Sequence, residues 1–125
     1  MKLFNEDSPV YLQLRRHIEE RILNGHLKDE EAIPSIRIMA KDYSINPLTV
    51  GNALSALIDA GILYKKRGVG IFVSPGARQL IIKIRSNDFI SEKLEPILRM
   101  AKQLEIAEET IITTISKIYG GNDVR

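Results

Sequence analysis

The first quarter of the chain carries an amphipathic pattern in the stretch DSPVYLQLRRHIEERILNG. Ser8 has the side chain of a helix cap, and Pro9 fits the first helical position, where its missing N–H costs no hydrogen bond. Asn24-Gly25 predicts the end of this helix, because both residue types tolerate a left-handed backbone. The apolar positions recur at helical spacing and predict one buried face: Tyr11, Leu14, Ile18 and Ile22.

Two further helices are predicted after the polar loop HLKDEEAIPS. The first should begin near Ser35, and a turn at SIN should separate it from the second. Asn46-Pro47 repeats the cap-then-proline start, and Gly61 is expected to end this third helix. The predicted buried stripes are Ile36, Met39, Ala40 and Tyr43 in the second helix and Val50, Ala53, Leu54 and Leu57 in the third.

A β-hairpin is predicted next. Two short apolar runs, ILYK and IFVS, flank the Gly-bearing segment KRGVG. Strands rich in Ile, Val and aromatic residues around such a turn are typical of a hairpin. The predicted order is therefore helix, helix, turn, helix, hairpin.

The last third of the chain changes character after SPGARQ. Its aliphatic residues suit one long helix, or two joined near SND, with an interruption at Pro96, and then a final helix that ends before Gly120-Gly121. A tail of about 50 residues has too little mass for a core of its own. Its apolar faces need a partner, and a second copy of the chain is the simplest one. We therefore expect a homodimer formed through residues 80–119.

Composition excludes several classes of protein. The chain has 125 residues, is 44% hydrophobic and 27% charged, and contains no cysteine, which excludes disulfides and thiolate metal sites. No apolar run approaches the ~18 residues of a membrane span. The N-terminus MKLFNEDSPV places acids where a signal peptide needs its apolar segment, so we expect a cytoplasmic protein.

Nothing in the sequence points to catalysis, a cofactor or a metal. The only histidines are His17 and His26, and Arg21 occupies the position one turn after His17 where a second ligand would be needed. No phosphate-binding glycine loop, HExxH or nucleophile elbow is present. The net charge of +2 decides little about nucleic acid, because any DNA contact would depend on local charge.

Several spaced motifs resemble a known family. PVYLQL, followed by IPSIRIMAKDYSINPLTVGNALSALIDAGILYKKRGVGIFV, is similar to the winged helix-turn-helix of GntR-family transcription regulators. The short length and helical tail resemble the YtrA-like subfamily. The resemblance implies a mainly α fold, with a DNA-binding domain of three helices plus a β-hairpin wing at 8–75 and a helical dimerisation tail at 76–125.

The same resemblance implies a function. We expect a homodimeric repressor that binds double-stranded DNA at a palindromic operator and controls a transporter operon. The tail has the composition to hold a small apolar effector at a dimer interface, but no residue cluster marks a site. Position 48 is commonly Asn in YtrA-like proteins, position 51 is often polar in the family, and position 52 is frequently Arg or Lys; here they are Leu48, Gly51 and Asn52.

The second and third helices supply the candidate DNA contacts. Ser35 at a helix start can meet a phosphate, and Arg37 in the first turn is a DNA contact in the family pattern. Asn52 is the leading candidate for base reading, because Asn pairs with adenine N6 and N7 in the major groove. The third helix carries no charge from Pro47 to Leu57, and its other candidates are Leu48 and Thr49, which can contact a thymine methyl, and Ser55. Such a surface suits adenine and thymine edges.

The hairpin supplies the remaining candidates. Lys65, Lys66 and Arg67 stand together at the predicted tip, and Gly68 allows a tight turn there. Beside a recognition helix, three cations can neutralise flanking phosphates, although such a run is more often only a solvated turn. The alternative function is a winged-helix module that binds a protein partner without sequence-specific DNA binding.

Gly51 leaves two interpretations open. A glycine inside a helix costs ~1 kcal/mol relative to Ala, so its presence asks for a reason. One is close approach to DNA. The other is tight helix packing, or neutral drift.

Overall fold

The computed structural model describes residues 4–120 and contains six α-helices and one two-stranded sheet in that range. The order is α1 (Val10–Leu23), α2 (Ile36–Tyr43), α3 (Pro47–Asp59), β1 (Leu63–Lys66), β2 (Gly70–Val73), α4 (Ala77–Phe89), a π-helical segment (Ile90–Leu94), α5 (Glu95–Gln103) and α6 (Glu108–Tyr119). The predicted mainly helical fold, with three helices and a hairpin wing followed by C-terminal helices, is confirmed.

The core of the first unit forms where α1 packs against α3. Leu14, Ile18 and Ile22 of α1 are buried, as the periodicity predicted. All four predicted inward positions of α3 are buried as well: Val50, Ala53, Leu54 and Leu57. Because an apolar face at this spacing has to be removed from water, the sequence pattern was enough to identify this interface.

Two predicted core positions are wrong, and both lie in the first turn of a helix. Tyr11 of α1 and Ile36 of α2 are 37% and 38% exposed, whereas Met39 and Ala40 are buried and Tyr43 is half-buried. Periodicity gives the direction of a side chain around the helix axis. It does not indicate whether another element packs against the end of the helix. Here the first turns extend beyond the elements that pack against the rest of each helix.

The start of α1 also differs from the prediction. Pro9 is the residue before the helix and makes no side-chain cap, and the Ser8 side chain does not cap it either. Instead, the Gln13 amide nitrogen donates to the carbonyl oxygens of Asn5 and Ser8, at 2.8 Å and 2.7 Å, and its Oε1 accepts from the Asn5 N–H. The glutamine of the PVYLQL motif therefore holds the preceding segment onto the helix.

Two compact units meet in sequence at Ile84 and Arg85. Ala77 and Ile81, in the first turns of α4, are buried in the core of the first unit, and Leu80 and Ile84 pack against it. The predicted division into domains at residues 75 and 76 stays a prediction, because contacts do not test independent folding.

From Arg85 to Tyr119 the second unit is helical, apart from the turn between α5 and α6. Helical structure runs through Ser86-Asn87-Asp88 without a break, so the first of the two predicted alternatives applies. The expected irregularity near Pro96 is a turn of π-helix immediately before α5, where proline cannot donate a backbone hydrogen bond. No helix among the described residues is both long enough and apolar enough to cross a membrane.

Candidate nucleic-acid interface

The turn between α2 and α3 is built by two side-chain caps. Ser35 Oγ accepts the Ile38 N–H at 3.2 Å, and Asn46 Oδ1 accepts the Leu48 N–H at 2.8 Å. Between the helices, Ser44 takes a left-handed backbone with φ 56°. The Ile45 N–H closes the end of α2 on the Ala40 carbonyl at 3.0 Å. Each cap satisfies a backbone donor that a helix start leaves unpaired, so this turn is well determined locally.

Cations on α2 stand in solvent. Arg37 lies in the first turn and Lys41 one turn later, and both are exposed. Neither takes part in an ion pair among residues 4–120. Because positions four apart share one side of a helix, the two cations can act on one phosphate strand. Lys41 was not among the contacts predicted from the sequence, although its spacing of one helical turn from Arg37 could have indicated it.

The outward face of α3 is uncharged and partly apolar from Leu48 to Ser55, and the exposed Asp59 ends the helix on the same face. Leu48, Asn52 and Ser55 share this face and are exposed, with Leu48 70% exposed, whereas Thr49 at its flank is half-buried. Gly51 lies beside them. This exposed face lies opposite the four buried positions, so burying the core of α3 also orients the candidate base-reading side chains outward.

The wing is an antiparallel pair in which Tyr64 faces Phe72 and Lys66 faces Gly70. At its tip, the Val69 N–H donates to the Lys66 carbonyl at 2.9 Å, and Gly68 has φ 76°, which glycine adopts without steric cost. Lys65 and Arg67 are exposed and form no ion pair within the described residues. Val69 is 68% exposed at the same tip.

The base of the wing is held by a segment that the sequence presented only as a polar loop. The backbone of Glu30–Ile33 pairs with the free edge of β2, through Glu30 N–H to the Val73 carbonyl at 2.8 Å and Ile33 N–H to the Ile71 carbonyl at 2.9 Å. The segment Glu30–Ile33 thus acts as a third strand and covers an edge that would otherwise be open to pairing with other molecules.

Aromatic side chains reinforce the same region. Tyr64 stacks on Phe72 with ring centroids 5.8 Å apart, and its hydroxyl donates to Glu30 Oε1 at 2.6 Å. That hydrogen bond raises the pKa of Tyr64 above its usual value. Lys66 Nζ lies 5.0 Å from the centroid of the Phe72 ring, within the range of a cation–π contact. The wing therefore combines a fixed base with a cationic tip.

His17, one of the two histidines in the sequence, packs against an aromatic side chain. His17 is in edge-to-face contact with Tyr43 at 5.5 Å, and Tyr43 meets Phe4 in the same way at 5.9 Å. Partial burial, with the nearby Arg21 cation, lowers the pKa of His17. Among the described residues, no group of three or more His, Cys, Asp or Glu side chains is placed to bind a metal ion.

Comparison with known proteins agrees with this architecture. The family model of "Bacterial regulatory proteins, gntR family" matches residues 10–73. The HTH-type transcriptional repressor YtrA of Bacillus subtilis is 29% identical over 118 residues, covering 91% of this chain and 90% of that protein. The longer repressor NagR of the same organism is 39% identical over 66 residues, which are 53% of this chain but only 27% of NagR.

Solved structures extend the comparison to three dimensions. A putative GntR-family transcriptional regulator from Bacteroides thetaiotaomicron is 31% identical with a TM-score of 0.74, covering 90% of this chain and 98% of that one. The DNA-binding domain of AraR in complex with operator ORX1 is 26% identical with a TM-score of 0.54, covering 58% of this chain and 93% of that one. The chain belongs to the gntR family of bacterial regulatory proteins and is a DNA-binding transcription regulator, not an enzyme.

Proposed function

We propose that this protein is a homodimeric repressor that inserts α3 of each protomer into the major groove of a palindromic operator. The observation that carries the proposal is the distribution of charge around α3. From Leu48 to Ser55 its outward face carries no charge, while α2 and β1, which both pack against α3, bring exposed cations that no described acid neutralises. Phosphate contacts then supply affinity, and the uncharged part of α3 is left to distinguish bases.

The proposed base-reading residues are Asn52, Leu48, Thr49 and Ser55. The proposed phosphate contacts are Ser35, Arg37, Lys65, Lys66 and Arg67, with Gly68 shaping the wing tip. We add Lys41 to this proposal because it is exposed one turn after Arg37 on α2. Ser35 fits its role because its oxygen accepts the Ile38 N–H while its own hydroxyl proton remains available to a phosphate oxygen.

Dimerisation is proposed to use the second unit. α5 and α6 expose aliphatic side chains along most of their length, including Ile97, Leu98, Ile112 and Ile118, the last of which is 74% exposed. Such surface is costly to leave in water, and a two-fold copy is the simplest cover. Ile81 lies inside the core of the first unit, so within the range 80–119 the proposed interface uses residues from 85 onward.

A selection from random double-stranded DNA tests the function. We expect enrichment of an inverted repeat, because a two-fold dimer reads two equal half-sites. The repeat should be rich in A·T, because Asn52, Leu48 and Thr49 suit adenine and thymine edges. Binding to the selected site should weaken steeply between two salt concentrations. Absence of any enriched sequence, or binding that salt does not affect, would contradict the proposal.

Repression is proposed because YtrA and NagR are named repressors. A transporter operon near this gene is the proposed target, from the resemblance to YtrA-like regulators alone. The regulator would act in the cytoplasm, where bacterial DNA lies. A reporter fused to the promoter of the neighbouring genes should rise when the protein is deleted. A fall would indicate activation.

Two substitutions should separate sequence reading from phosphate attraction. Asn52→Ala is expected to relax preference at one base pair per half-site by ~1–3 kcal/mol and to leave other positions unchanged. Arg37→Ala removes one cation from each protomer, so it should weaken binding to all sequences about equally and lower the salt slope by about 2. Selection profiles and salt titrations of both variants provide the measurement. An unchanged profile for Asn52→Ala would remove Asn52 from base reading.

A further inference from the structure

Gly51 is the fifth residue of α3 and lies half-buried on the flank of the helix next to Ile36 of α2, at the edge of the proposed reading surface. Leu48, one turn earlier, and Ser55, one turn later, are both exposed. The core side is occupied by Val50 and Leu54, which are buried. Gly51 therefore interrupts the proposed reading surface with a position that has no side chain.

Packing within the chain does not require this glycine. A Cβ built at Gly51 would meet one atom within 4 Å, Ile36 Cδ1 at 3.9 Å, which is ordinary van der Waals contact. The backbone of Gly51 is helical, so no left-handed conformation demands glycine either. Of the two interpretations left open by the sequence, tight helix packing is not supported.

The space left by the missing side chain of Gly51, here called the notch, is bordered by apolar side chains. Ile36 borders it from α2, and its partial exposure, which the periodicity did not predict, places apolar surface at the rim. Leu48 lies three residues before Gly51 on the same helix, at the spacing where neighbouring side chains meet. Because only Ile36 Cδ1 lies within 4 Å of the Cβ position of Gly51, there is room for a methyl group at that position.

The geometry points to Gly51 as a specificity-determining residue that leaves a methyl-sized notch, between Ile36 and Leu48, for the C5-methyl group of a thymine in the operator. This inference rests on the proposed insertion of α3 into the major groove. There, thymine is the base that presents a methyl group, and apolar side chains are the groups that recognise it. The notch thus adds a thymine contact to the adenine contact proposed for Asn52.

The test combines Gly51→Ala with removal of single thymine methyls. Each thymine of the selected operator is replaced in turn by deoxyuridine, which keeps base pairing and lacks only the methyl. Wild-type affinity should fall about fourfold at one position per half-site. Gly51→Ala should bind the parent operator about tenfold more weakly, because the notch is filled, and should be indifferent to that same methyl.

Thermal unfolding separates this effect from damage to the fold. Gly51→Ala should raise the melting temperature by about 4 °C, because Ala favours the helix and the notch has room for its methyl group. Thr113→Ala on α6 is the control, since it also improves helix propensity but lies outside α3 and opposite the Ile111–Ile115–Ile118 stripe. It should not weaken DNA binding.

Each outcome decides between named possibilities. If Gly51→Ala binds as wild type does, or if no deoxyuridine weakens the wild type, the thymine notch is wrong while DNA binding stands. A Gly51→Ala variant that fails to fold contradicts the space observed around Gly51. If the wild type selects no sequence at all, the proposed function fails first.

Discussion

Deletion of residues 85–125 is expected to leave a folded monomer that binds the operator about 10²–10⁴-fold more weakly than the full chain. The first unit keeps its core, because the buried Ala77 and Ile81 of α4 are retained. Affinity falls because the second half-site is no longer held at a high effective concentration. Sedimentation, circular dichroism and operator titration would measure mass, folding and affinity. A cut after Pro75 would remove these core residues and confuse the result.

A point variant makes the same test in the full chain. Ile115→Glu places a charge on the exposed aliphatic stripe of α6 and should dissociate the dimer. Thr113→Glu puts the same charge on the opposite side of that helix and should leave the dimer intact. A truncated chain that still sediments as a dimer, or a monomer of undiminished affinity, would refute the role proposed for the second unit.

Replacement of Lys65, Lys66 and Arg67 by Gln, which removes six cations from the dimer, is expected to weaken operator binding on the order of 10⁴-fold at 0.15 M salt, if each cation neutralises one phosphate. The slope of log affinity against log salt should fall by about 5.4 for the same reason. Sequence preference should change little, because phosphate contacts carry no base information. Salt titrations on the selected operator and on a scrambled duplex provide the measurement.

The matched control removes three charges elsewhere. Lys93, Lys102 and Lys117 are exposed residues of the second unit, and their replacement by Gln changes the net charge by the same amount. Their triple variant should keep the wild-type salt slope. Equal losses in both triple variants would mean that overall charge, and not the wing, attracts the DNA.

Most of the helix-turn-helix could be predicted because its signals are local. The start of α3 follows from the Asn46 side chain and Pro47, and its inward face follows from apolar spacing over three turns. The hairpin followed from β-forming residues around a turn that needs glycine at position 68. Each of these features depends on residues close together in sequence.

The errors and omissions occur where distant residues meet. The strand-like pairing of Glu30–Ile33 with β2 uses backbone groups, which leave no periodic pattern in a short polar loop. The Tyr64–Glu30 hydrogen bond joins residues 34 positions apart. Tyr11 and Ile36 were predicted to be buried but are exposed, because an apolar stripe does not indicate how far along the helix the neighbouring elements extend.

The sequence by itself determined the order of helices and strands, the outward face of α3 and the family to which the chain belongs. These depend on spacing and local caps, which act over a few residues. Only the tertiary structure decided that the first turns of α4 belong to the core of the first unit, that a polar loop completes the wing, and that Gly51 has open space beside it. Those facts depend on which distant atoms come into contact, and contact across the fold is not encoded at any one position.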